Sequence, residues 1–325
     1  MRRSRSMYEP RYRPRSHRGH RTRRSEGSVG TNMTTFDKST SIGFIGAGAV
    51  GGSLAGALHN AGYPVVAVAS RTFASAETFA ARIPGCVPYR SLQKLVDSVG
   101  FVFITTSDDA IGPVCDSLRW REGHGLAHCS GAASLEPLQS AVESGAVSGA
   151  FHPLQAFSSV EEGVENIPGT TFGIEAGTDL HDYLERMALD IGGNPIFLRP
   201  EDKALYHISG VLMGNLLSVL ASVAASVWPK FDHSRDEGIH ALTPMMVAVA
   251  RNMDAHGVPQ AVAGPYPRGD LGTIRKHLET LKASAPEYLP LYCELALAGL
   301  PFAVEKGALK PELAEEIARI VKSYR

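Results

Sequence analysis

The chain has 325 residues, of which 44% are hydrophobic and 20% charged, and its mean hydropathy is −0.05. This composition excludes collagen-like, wholly disordered and membrane-embedded chains, and the length predicts two domains. The net charge of −1 is a cancellation, since residues 1–40 hold 11 Lys and Arg against 3 Asp and Glu, a net +8, and the remaining residues hold 21 against 30, a net −9. The two parts therefore need separate interpretations.

The first 24 residues contain ten arginines and almost no aliphatic side chains. Such a segment cannot bury enough apolar surface to fold, so residues 1–40 are predicted to be a disordered basic tail. We favour a tail without a chemical role over two alternatives. One is a nucleic-acid-binding arm that uses Tyr8 and Tyr12. The other is an organellar transit peptide, against which the acidic Glu9 and Glu26 argue.

The cysteines are four and widely scattered, at positions 86, 115, 129 and 293. No CxxC pair and no Cys/His ligand spacing occurs, so we expect neither a metal site nor a disulfide framework. The sequence also lacks an apolar stretch typical of a secretory signal. A cytoplasmic, reducing location is the resulting expectation.

A glycine-rich turn joins a short apolar strand, residues 42–45, to a helix. The turn reads Gly46-Ala47-Gly48-Ala49-Val50-Gly51, and a second apolar strand follows at residues 65–68. A strand, glycine turn, helix and strand within about thirty residues are the setting that a dinucleotide-binding GxGxxG motif requires.

Each glycine of the motif has a physical reason. Gly46 permits the tight turn, Gly48 lets the backbone approach a pyrophosphate, and Gly51 allows close packing of helix and strand. The amides at the helix start, at Ala49 and Val50, would then face the phosphates. The motif predicts dinucleotide binding.

The residues after the second strand bear on the choice of cofactor. An NAD site usually has Asp or Glu there, whereas this chain has Ser70-Arg71-Thr72. A hydroxyl and a guanidinium suit the 2′-phosphate of NADP, and no carboxylate repels it. The alternative is an arginine that merely ends a strand in solvent.

Further predicted strands also end in small polar residues. The strand at 99–104 is followed by Thr105 and Thr106 in a polar run, 105–109, that can cap the next helix, and the strand at 126–129 ends in Ser130 and Gly131. Ligands of open parallel sheets bind at the carboxyl ends of strands, so these residues are predicted to lie near a nicotinamide ribose and ring. Ser130 is also predicted to position the substrate.

A fifth strand leads to His152 and Gln155, which are predicted to contact the substrate, although His152 is equally consistent with a structural histidine. Short strands at 170–174 and 195–198, with a helix at 179–189 between them, complete the first half.

After Pro200 the pattern changes to long helices. No formal charge occurs between Ala204 and Trp228, a stretch that would span roughly 37 Å as a helix. A transmembrane helix is the alternative, but Tyr, His, Asn and Ser side chains interrupt the stretch. We therefore predict a central core helix that other helices or a second subunit cover. Further helices are predicted at residues 234–255, 270–283, 286–306 and 311–324.

Few polar residues occur on this helix, and each is a candidate. Lys203 and His207 are four residues apart and so share a face. Reduction of a C=O or C=N bond needs a proton at the heteroatom, which a partly buried lysine or a histidine can supply near neutral pH. Lys203 is alternatively a solvated helix start. Asn215 is a candidate substrate ligand or a packed polar residue.

A Gly- and Pro-rich segment precedes a predicted helix and places Arg268 near the helix start, a position where anions bind. It reads Gly264-Pro265-Tyr266-Pro267-Arg268-Gly269-Asp270. Arg268 is therefore a candidate for holding a substrate carboxylate or a cofactor phosphate. Asp270 is either a substrate ligand or an N-cap.

Over residues 41–305 the chain resembles one oxidoreductase family. The segments that carry the resemblance are GAGAVGGSL, TTSDDAI, HCSGA, FHPLQAF, KALYHISGVLMGN and GPYPRGDLGTIRKHL. In that family a Rossmann-like α/β domain precedes a helical domain of unknown function. The resemblance implies an NADP-dependent enzyme related to pyrroline-5-carboxylate reductases, 6-phosphogluconate dehydrogenases and β-hydroxyacid dehydrogenases. Some members are similar to an alternative type of ketopantoate reductase.

The resemblance also implies a homodimer through an all-α domain like the C-terminal domain of 6-phosphogluconate dehydrogenase. In β-hydroxyacid dehydrogenases a helix supplies Lys-x-x-x-Asn, with the lysine as proton donor. Here Lys203 matches the lysine, but His207 stands where the asparagine is expected. The choice of proton donor between them stays open.

The sequence predicts an NADP-binding domain at 41–200 and a helical domain at 201–325. Three hypotheses follow for the function of the protein. The leading one is a cytoplasmic NADPH-dependent reductase of a small 2-oxo acid or related carbonyl compound. The second is an imine reductase. The third is a non-catalytic NADP-binding or nucleic-acid-associated protein that works through the basic tail, a tail that is otherwise not expected to bind nucleic acid.

Overall fold

The structure is a computed structural model that describes residues 36–325, divided into two compact units, 36–215 and 216–325. Residues 1–35 of the predicted basic tail, 1–40, therefore lie outside the described residues. Its last five residues contradict the expected disorder, because Phe36 packs against Phe101 with ring centroids 6.0 Å apart. Lys38 also pairs with Asp190 at 3.1 Å. An aromatic ring and a paired cation therefore fix this short stretch on the first unit.

One eight-stranded sheet in the order β3-β2-β1-β4-β5-β6-β7-β8 forms the centre of the first unit. The strands are β1 (Ile42–Ile45), β2 (Val65–Ala69), β3 (Val87–Tyr89), β4 (Phe101–Ile104), β5 (Gly125–His128), β6 (Val147–Pro153), β7 (Thr171–Ala176) and β8 (Asn194–Phe197). All neighbouring pairs are parallel except β6 and β7. The predicted Rossmann-type parallel sheet is confirmed.

Helices of the first unit connect the strands. They are α1 (Ala49–Asn60), α2 (Phe73–Ala80), α3 (Leu92–Ser98), α4 (Asp108–Asp116), α5 (Gln139–Glu143), α6 (Val160–Asn166), α7 (Thr178–Asp190) and α8 (Lys203–Val211). Strands such as β4 are buried along their whole length, as expected where helices cover both faces of a parallel sheet. Two apolar clusters fill the unit, one containing Phe44, Phe103 and Phe151 and the other containing Ile45 and Ile104.

Two local expectations need correction. The sequence pattern did not indicate β3, because a three-residue strand shows no usable periodicity. The polar run after β4 was expected to cap α4, but the N-cap residue Ser107 makes no side-chain capping bond. The first-turn residue Asp108 instead accepts a hydrogen bond from the Ser130 hydroxyl.

The strand register aligns one residue from each of five strands. Ile45 pairs with Ile104, Ile104 with His128, His128 with Ala150, and Ala150 with Glu175. Three of these residues end their strands, so Glu175 on the antiparallel β7 lies level with the carboxyl ends of β1, β4 and β5. The reversal of β7 therefore adds a carboxylate to the edge at which parallel sheets bind ligands.

The second unit is helical, as predicted. Its helices are α9 (Leu217–Ala225), α10 (Arg235–His256), α11 (Leu271–Ser284), α12 (Leu289–Glu305) and α13 (Pro311–Lys322). Its core is formed by buried apolar residues of the last three helices, among them Ile274, Leu278, Cys293, Ala303 and Ile317.

The apolar stretch after Pro200 is a continuous helical segment, as predicted, but its surroundings differ from those of a core helix covered by the chain itself. A π-helical turn at Leu212–Leu216 separates α8 from α9, and the first compact unit extends to Asn215, beyond the expected boundary at 200/201. Pro200–Phe231 has a mean hydropathy of 1.8 over its most apolar window, and only 6% of that window is buried. By length and composition alone it is long and apolar enough to cross a membrane. Within residues 36–325, most of this window is therefore exposed.

Candidate functional site

A cavity of about 850 Å³ opens at the carboxyl ends of β1, β2 and β4. Its lining comes from the glycine turn, the β2–α2 loop, the residues after β3 and the start of α4. The residues that line it are Ile45, Gly46, Ala47, Gly48, Ser70, Arg71, Thr72, Ser75, Arg90, Leu92, Thr105, Thr106, Ser107, Ala110 and Val114. This is where the GxGxxG motif predicted a dinucleotide.

The three motif glycines have different surroundings. Gly46 has φ +114°, and a Cβ there would lie 2.6 Å from the carbonyl oxygen of Thr105. A Cβ at Gly51 would lie 2.5 Å from the hydroxyl of Thr105, whereas a Cβ at Gly48 would meet nothing within 4 Å. Gly46 and Gly51 therefore allow the turn and α1 to pack against the end of β4. Gly48 faces open space in the cavity, where a phosphate can approach the backbone.

The start of α1 is an anion-binding position. The helix begins at Ala49 and Val50 with no acidic residue in its first turn, and its N-cap residue, Gly48, has no side chain to occupy the amides. Unpaired backbone N–H groups and the positive end of the helix dipole therefore face the cavity beside Gly48. The backbone thus fits a pyrophosphate.

Two threonines follow β4, and the first of them bonds to the glycine turn. The Thr105 hydroxyl donates to the carbonyl oxygen of Gly46 at 3.0 Å, and the Thr106 hydroxyl donates to that of Ser107 at 3.2 Å. Both threonines line the cavity, as the strand-end reasoning predicted.

Polar and cationic side chains form the other wall of the cavity. Ser70 is half-buried and Arg71 is exposed. Ser75 and Arg90 also line this wall, and the sequence did not single them out. Arg90 directly follows β3, so it could be identified as a candidate only after β3 is recognised as a strand of the sheet.

Beside the cavity, Ser130 links the ends of two strands. The hydroxyl of Ser130, which is buried, donates to Oδ2 of Asp108 at 2.7 Å. The Ser130 hydroxyl oxygen also accepts from the backbone N–H of Ala133 at 3.0 Å. Asp108 was expected only to cap α4, but it connects the start of that helix to the loop after β5.

Behind Ser130, His128 is buried in a single tautomer. Its Nδ1 accepts from the backbone N–H of Ser130 at 3.1 Å, so Nε2 carries the proton and donates to the carbonyl oxygen of Ser134 at 2.7 Å. Burial lowers the pKa of His128, which keeps the ring neutral. The Ser134 hydroxyl in turn donates to Oε1 of Glu175. His128 is therefore a structural support of this loop.

A buried ion pair lies next to this chain of hydrogen bonds. Nζ of Lys203 is 3.3 Å from Oε2 of Glu175, and the two side chains are 2% and 8% exposed. Burial lowers the pKa of Lys203, and the negative charges of Glu175 and Asp108 oppose that shift. The prediction that singled out Lys203 did not foresee Glu175 as its partner, because the two residues are far apart in sequence.

Two histidines approach each other over Gly131. A Cβ added at Gly131 would lie 2.6 Å from Cδ2 of His207 and 2.7 Å from Nε2 of His152. The two imidazole centroids are 5.9 Å apart. The lack of a side chain at Gly131 therefore leaves room for both rings at the end of β5.

His152 is held by a tyrosine that the sequence had not marked. Its Nδ1 is 3.0 Å from the hydroxyl of Tyr206, and the Tyr206 ring packs on Gly173, the residue that pairs with His152 across β6 and β7. Burial lowers the pKa of His152 to about 4 and raises that of Tyr206 to about 12. At neutral pH both groups are uncharged. His207 is half-buried.

Four other predicted substrate ligands have different settings. The amide nitrogen of Gln155 donates to the carbonyl oxygen of Asn166 and to the Thr170 hydroxyl, each at 3.3 Å, and so stabilises its own loop. Asn215 is exposed in the π-helical turn.

In the second unit, Arg268 is exposed. Asp270 accepts from the backbone N–H of Thr273 at 3.0 Å and so acts as the N-cap of α11. The predicted substrate contacts of Arg268 and Asp270 stay predictions.

Two family models match the sequence. Residues 28–153 match the Rossmann-like domain, and residues 170–298 match a domain of unknown function, DUF2520. Comparison with curated proteins finds no match.

Solved structures of similar fold include oxidoreductases. A protein of Bacteroides fragilis assigned to the NADP oxidoreductases is 24% identical, with 81% of this chain and 99% of that chain covered and a TM-score of 0.64. A reductive aminase from Aspergillus terreus, in complex with NADPH and ethyl-5-oxohexanoate, is 16% identical over 88% and 93% of the chains, with a TM-score of 0.54.

A pyrroline-5-carboxylate reductase from Coxiella burnetii is 15% identical over 86% and 99% of the chains, with a TM-score of 0.54. At these identities the likeness establishes the fold. The chain thus combines a Rossmann-like domain with a DUF2520 domain, in the fold shared by these oxidoreductases.

Proposed function

We propose that the chain is an NADPH-dependent oxidoreductase that reduces a small polar carbonyl compound, such as a 2-oxo acid. The observation that carries the proposal is the pairing of two features on one edge of the sheet. The dinucleotide cavity lies over β1, β2 and β4, and the histidine pair lies over Gly131 at the end of β5. The hydrogen bond from Ser130 to Asp108 connects the two regions.

The residues of the cavity fit NADPH. The backbone at Gly48, Ala49 and Val50 would hold the pyrophosphate, because Gly48 faces open space and no side chain caps the start of α1. Gly46 would shape the turn instead, since its own amide donates to the carbonyl oxygen of Ala69 at 2.8 Å. Ser70 and Arg71 would bind the 2′-phosphate, and Thr105 and Thr106, which line the same cavity, would lie beside the nicotinamide ribose. When bound, NADPH supplies a hydride to the substrate carbon. The NADPH complex of the structurally similar reductive aminase supports this choice of cofactor.

His207 is the proposed proton donor. Reduction of a carbonyl group needs a proton on its oxygen when the hydride reaches its carbon, and His207 is half-buried, so its ring is open to a bound molecule. Lys203 is 2% exposed and pairs with Glu175, so it is less open to a bound molecule than His207. We propose that Lys203 acts from behind, as a cation that favours developing negative charge on the oxygen.

Ser130 and His152 are the proposed positioning groups for the substrate. Nε2 of His152 faces Gly131 from the side opposite Tyr206, and its ring is neutral at working pH because burial lowers its pKa to about 4. A neutral imidazole can form a hydrogen bond to the substrate without competing for the proton that His207 donates. Gln155 and Asn215 are not needed for this arrangement.

Imine reduction is the second candidate, favoured by the structural likeness to a reductive aminase and a pyrroline-5-carboxylate reductase. An iminium ion arrives already protonated, so its reduction needs no donor at nitrogen. The two candidates therefore differ in how strongly the rate depends on His207.

The test is NADPH oxidation with a panel of 2-oxo acids, including ketopantoate, and of cyclic imines, using the wild type, His207→Asn and the control His181→Asn. For a carbonyl substrate we expect His207→Asn to lower kcat by about a hundredfold or more, as for loss of a general acid, with NADPH affinity unchanged. His181 stacks on Phe197 far along the sheet, so its variant should behave as wild type. Turnover of imines alone, insensitive to His207, would favour the second candidate. No turnover and no NADPH binding would reject both.

We further propose that the protein is a cytoplasmic homodimer. The second unit exposes apolar side chains on α9 and α10, including Val219 at 53% and Met245 at 60%, and α10 buries only Gly238. A second copy would remove this surface from water. Unpaired cysteines at all four positions agree with a reducing compartment. We expect sedimentation to show a dimer, Val219→Asp to yield monomer, and the loop control Val258→Asp to stay dimeric. A monomeric wild type would contradict the proposal.

A further inference from the structure

Arg90 lies beside the predicted cofactor-selecting residues, although it comes from a different loop. Ala69 at the end of β2 pairs with Tyr89 at the end of β3. Ser70 and Arg90 therefore leave the sheet side by side, on strands that are about 4.8 Å apart. Both residues line the same cavity as Arg71.

An aromatic ring fixes the position of the Arg90 guanidinium. Its central carbon lies 3.6 Å from the ring centroid of Phe73, the first residue of α2. Contact of a guanidinium with an aromatic face is attractive and leaves the N–H groups at its edge available for hydrogen bonds. In the part of the chain that the structure describes, neither Arg71 nor Arg90 forms an ion pair.

The wall between the two arginines is polar and carries no negative charge. The Thr72 and Ser75 hydroxyls lie 2.6 Å apart, and Thr72, the N-cap residue of α2, makes no side-chain capping bond. No acidic residue occurs in the first turn of α2. Two cations, two hydroxyls and a helix start therefore face one corner of the cavity.

We propose that Arg90, held against Phe73, is a specificity-determining residue that binds the 2′-phosphate of NADPH from the side opposite Arg71. This inference rests on the proposed cofactor and assigns a residue of the β3–α3 connection to its selection. A phosphomonoester accepts hydrogen bonds from two guanidinium groups at once, and the Phe73 contact reduces the entropy lost when Arg90 is ordered. NADH has a neutral hydroxyl group in place of this phosphate.

The test compares affinities for NADPH, NADH and 2′,5′-ADP by titration calorimetry, with no substrate present. Arg90→Ala should weaken binding of NADPH and of 2′,5′-ADP by about tenfold or more, the usual effect of losing a charged hydrogen bond. The affinity for NADH should change less than about twofold on the same argument. Arg90→Lys should give an intermediate loss, because it keeps the charge but not the planar contact with Phe73.

Arg82→Ala is the matched control, since Arg82 pairs with Glu161 and does not line the cavity. It should leave all three affinities unchanged. An equal loss for NADPH and NADH in Arg90→Ala would overturn the inference and show contact with the shared adenosine. No loss would overturn it as well. If the wild type binds neither dinucleotide, the proposed cofactor itself is rejected. If the wild type prefers NADPH but Arg90→Ala leaves its affinity unchanged, only this inference is rejected.

Discussion

Over β1, β2 and β4 the candidate ligand-binding groups are backbone amides and exposed side chains, whereas over β5, β6 and β7 they are ionisable side chains bonded to one another. At the first end, Gly48 faces open space and Arg71 is exposed. At the second, Lys203 and Glu175 form a buried ion pair, and His152 is held by Tyr206. The nucleotide end binds with groups that folding leaves unpaired, while the other end uses groups that folding has already paired.

This difference predicts how each end responds to substitution. Removing an exposed cation costs binding and little stability, because the side chain was solvated before. Removing a buried charge leaves its partner unpaired in a low-dielectric interior, so stability falls as well as chemistry. The three predictions below test that contrast, from the largest expected effect to the smallest.

The Lys203–Glu175 pair should be strongly coupled. We expect Lys203→Met or Glu175→Gln alone to lower the free energy of unfolding by about 3–5 kcal/mol, since each leaves one buried partner without its counterion. The double variant should lose much less than the sum, because no unpaired charge remains. Urea unfolding of the four proteins measures this coupling.

The exposed pair of Lys38 and Asp190 is the control. Its side chains are 52% and 24% exposed, so Lys38→Met should cost less than about 1 kcal/mol. If the double variant loses as much free energy of unfolding as Lys203→Met and Glu175→Gln together, the buried pair does not stabilise the region over β5, β6 and β7.

The protonation of His152 should make stability depend on pH. Burial lowers the pKa of His152 from 6.5 to about 4, so between these values the unfolded chain binds a proton that the folded chain does not. Stability is therefore complete above pH 6.5 and falls as the pH drops towards 4, by at most about 3 kcal/mol. Urea unfolding between pH 4 and pH 7 should show a shallower pH dependence in His152→Gln than in the wild type.

His128 is also neutral through burial and stays in both proteins, so the difference between the two curves reports His152 alone. Parallel curves would mean that His152 is solvated in the folded protein.

Glycines at the nucleotide end should separate stability from binding. Gly46→Ala should lower the free energy of unfolding by about 1–3 kcal/mol, because φ is +114° and the added Cβ would overlap the Thr105 carbonyl. Gly48→Ala should leave stability nearly unchanged but weaken NADPH binding, since its Cβ would point into the open cavity. Thermal unfolding and NADPH titration of both variants check this. Equal destabilisation by the two changes would contradict the assignment of Gly48 to the phosphate position.

Much of the nucleotide end was predictable because its groups are neighbours in sequence. Gly46, Gly48 and Gly51 lie in one turn, and Ser70 and Arg71 follow directly at the end of the next strand. Local spacing therefore carries both the turn conformation and the direction of the amides. Arg90 escaped prediction because β3 has three residues and leaves no pattern.

The second end was only half predictable. Lys203 and His207 stood out as the few polar residues of an apolar helix, but their partners did not. Glu175 gains its position from the antiparallel register of β7, and Tyr206 meets His152 across 54 positions of sequence. Such contacts depend on strand order and helix placement, which composition and periodicity do not encode.

By itself the sequence determined a Rossmann-type unit, the glycine turn, a strand end without a carboxylate, and a helical second half, because each depends on residues within one or two elements. Tertiary structure decided which charges are paired. It buried Lys203 against Glu175, placed two histidines over Gly131 and brought Arg90 beside Ser70. The physical reason is that pairing and desolvation arise only when distant strands come into register, and these set the protonation and reach of every side chain at the site.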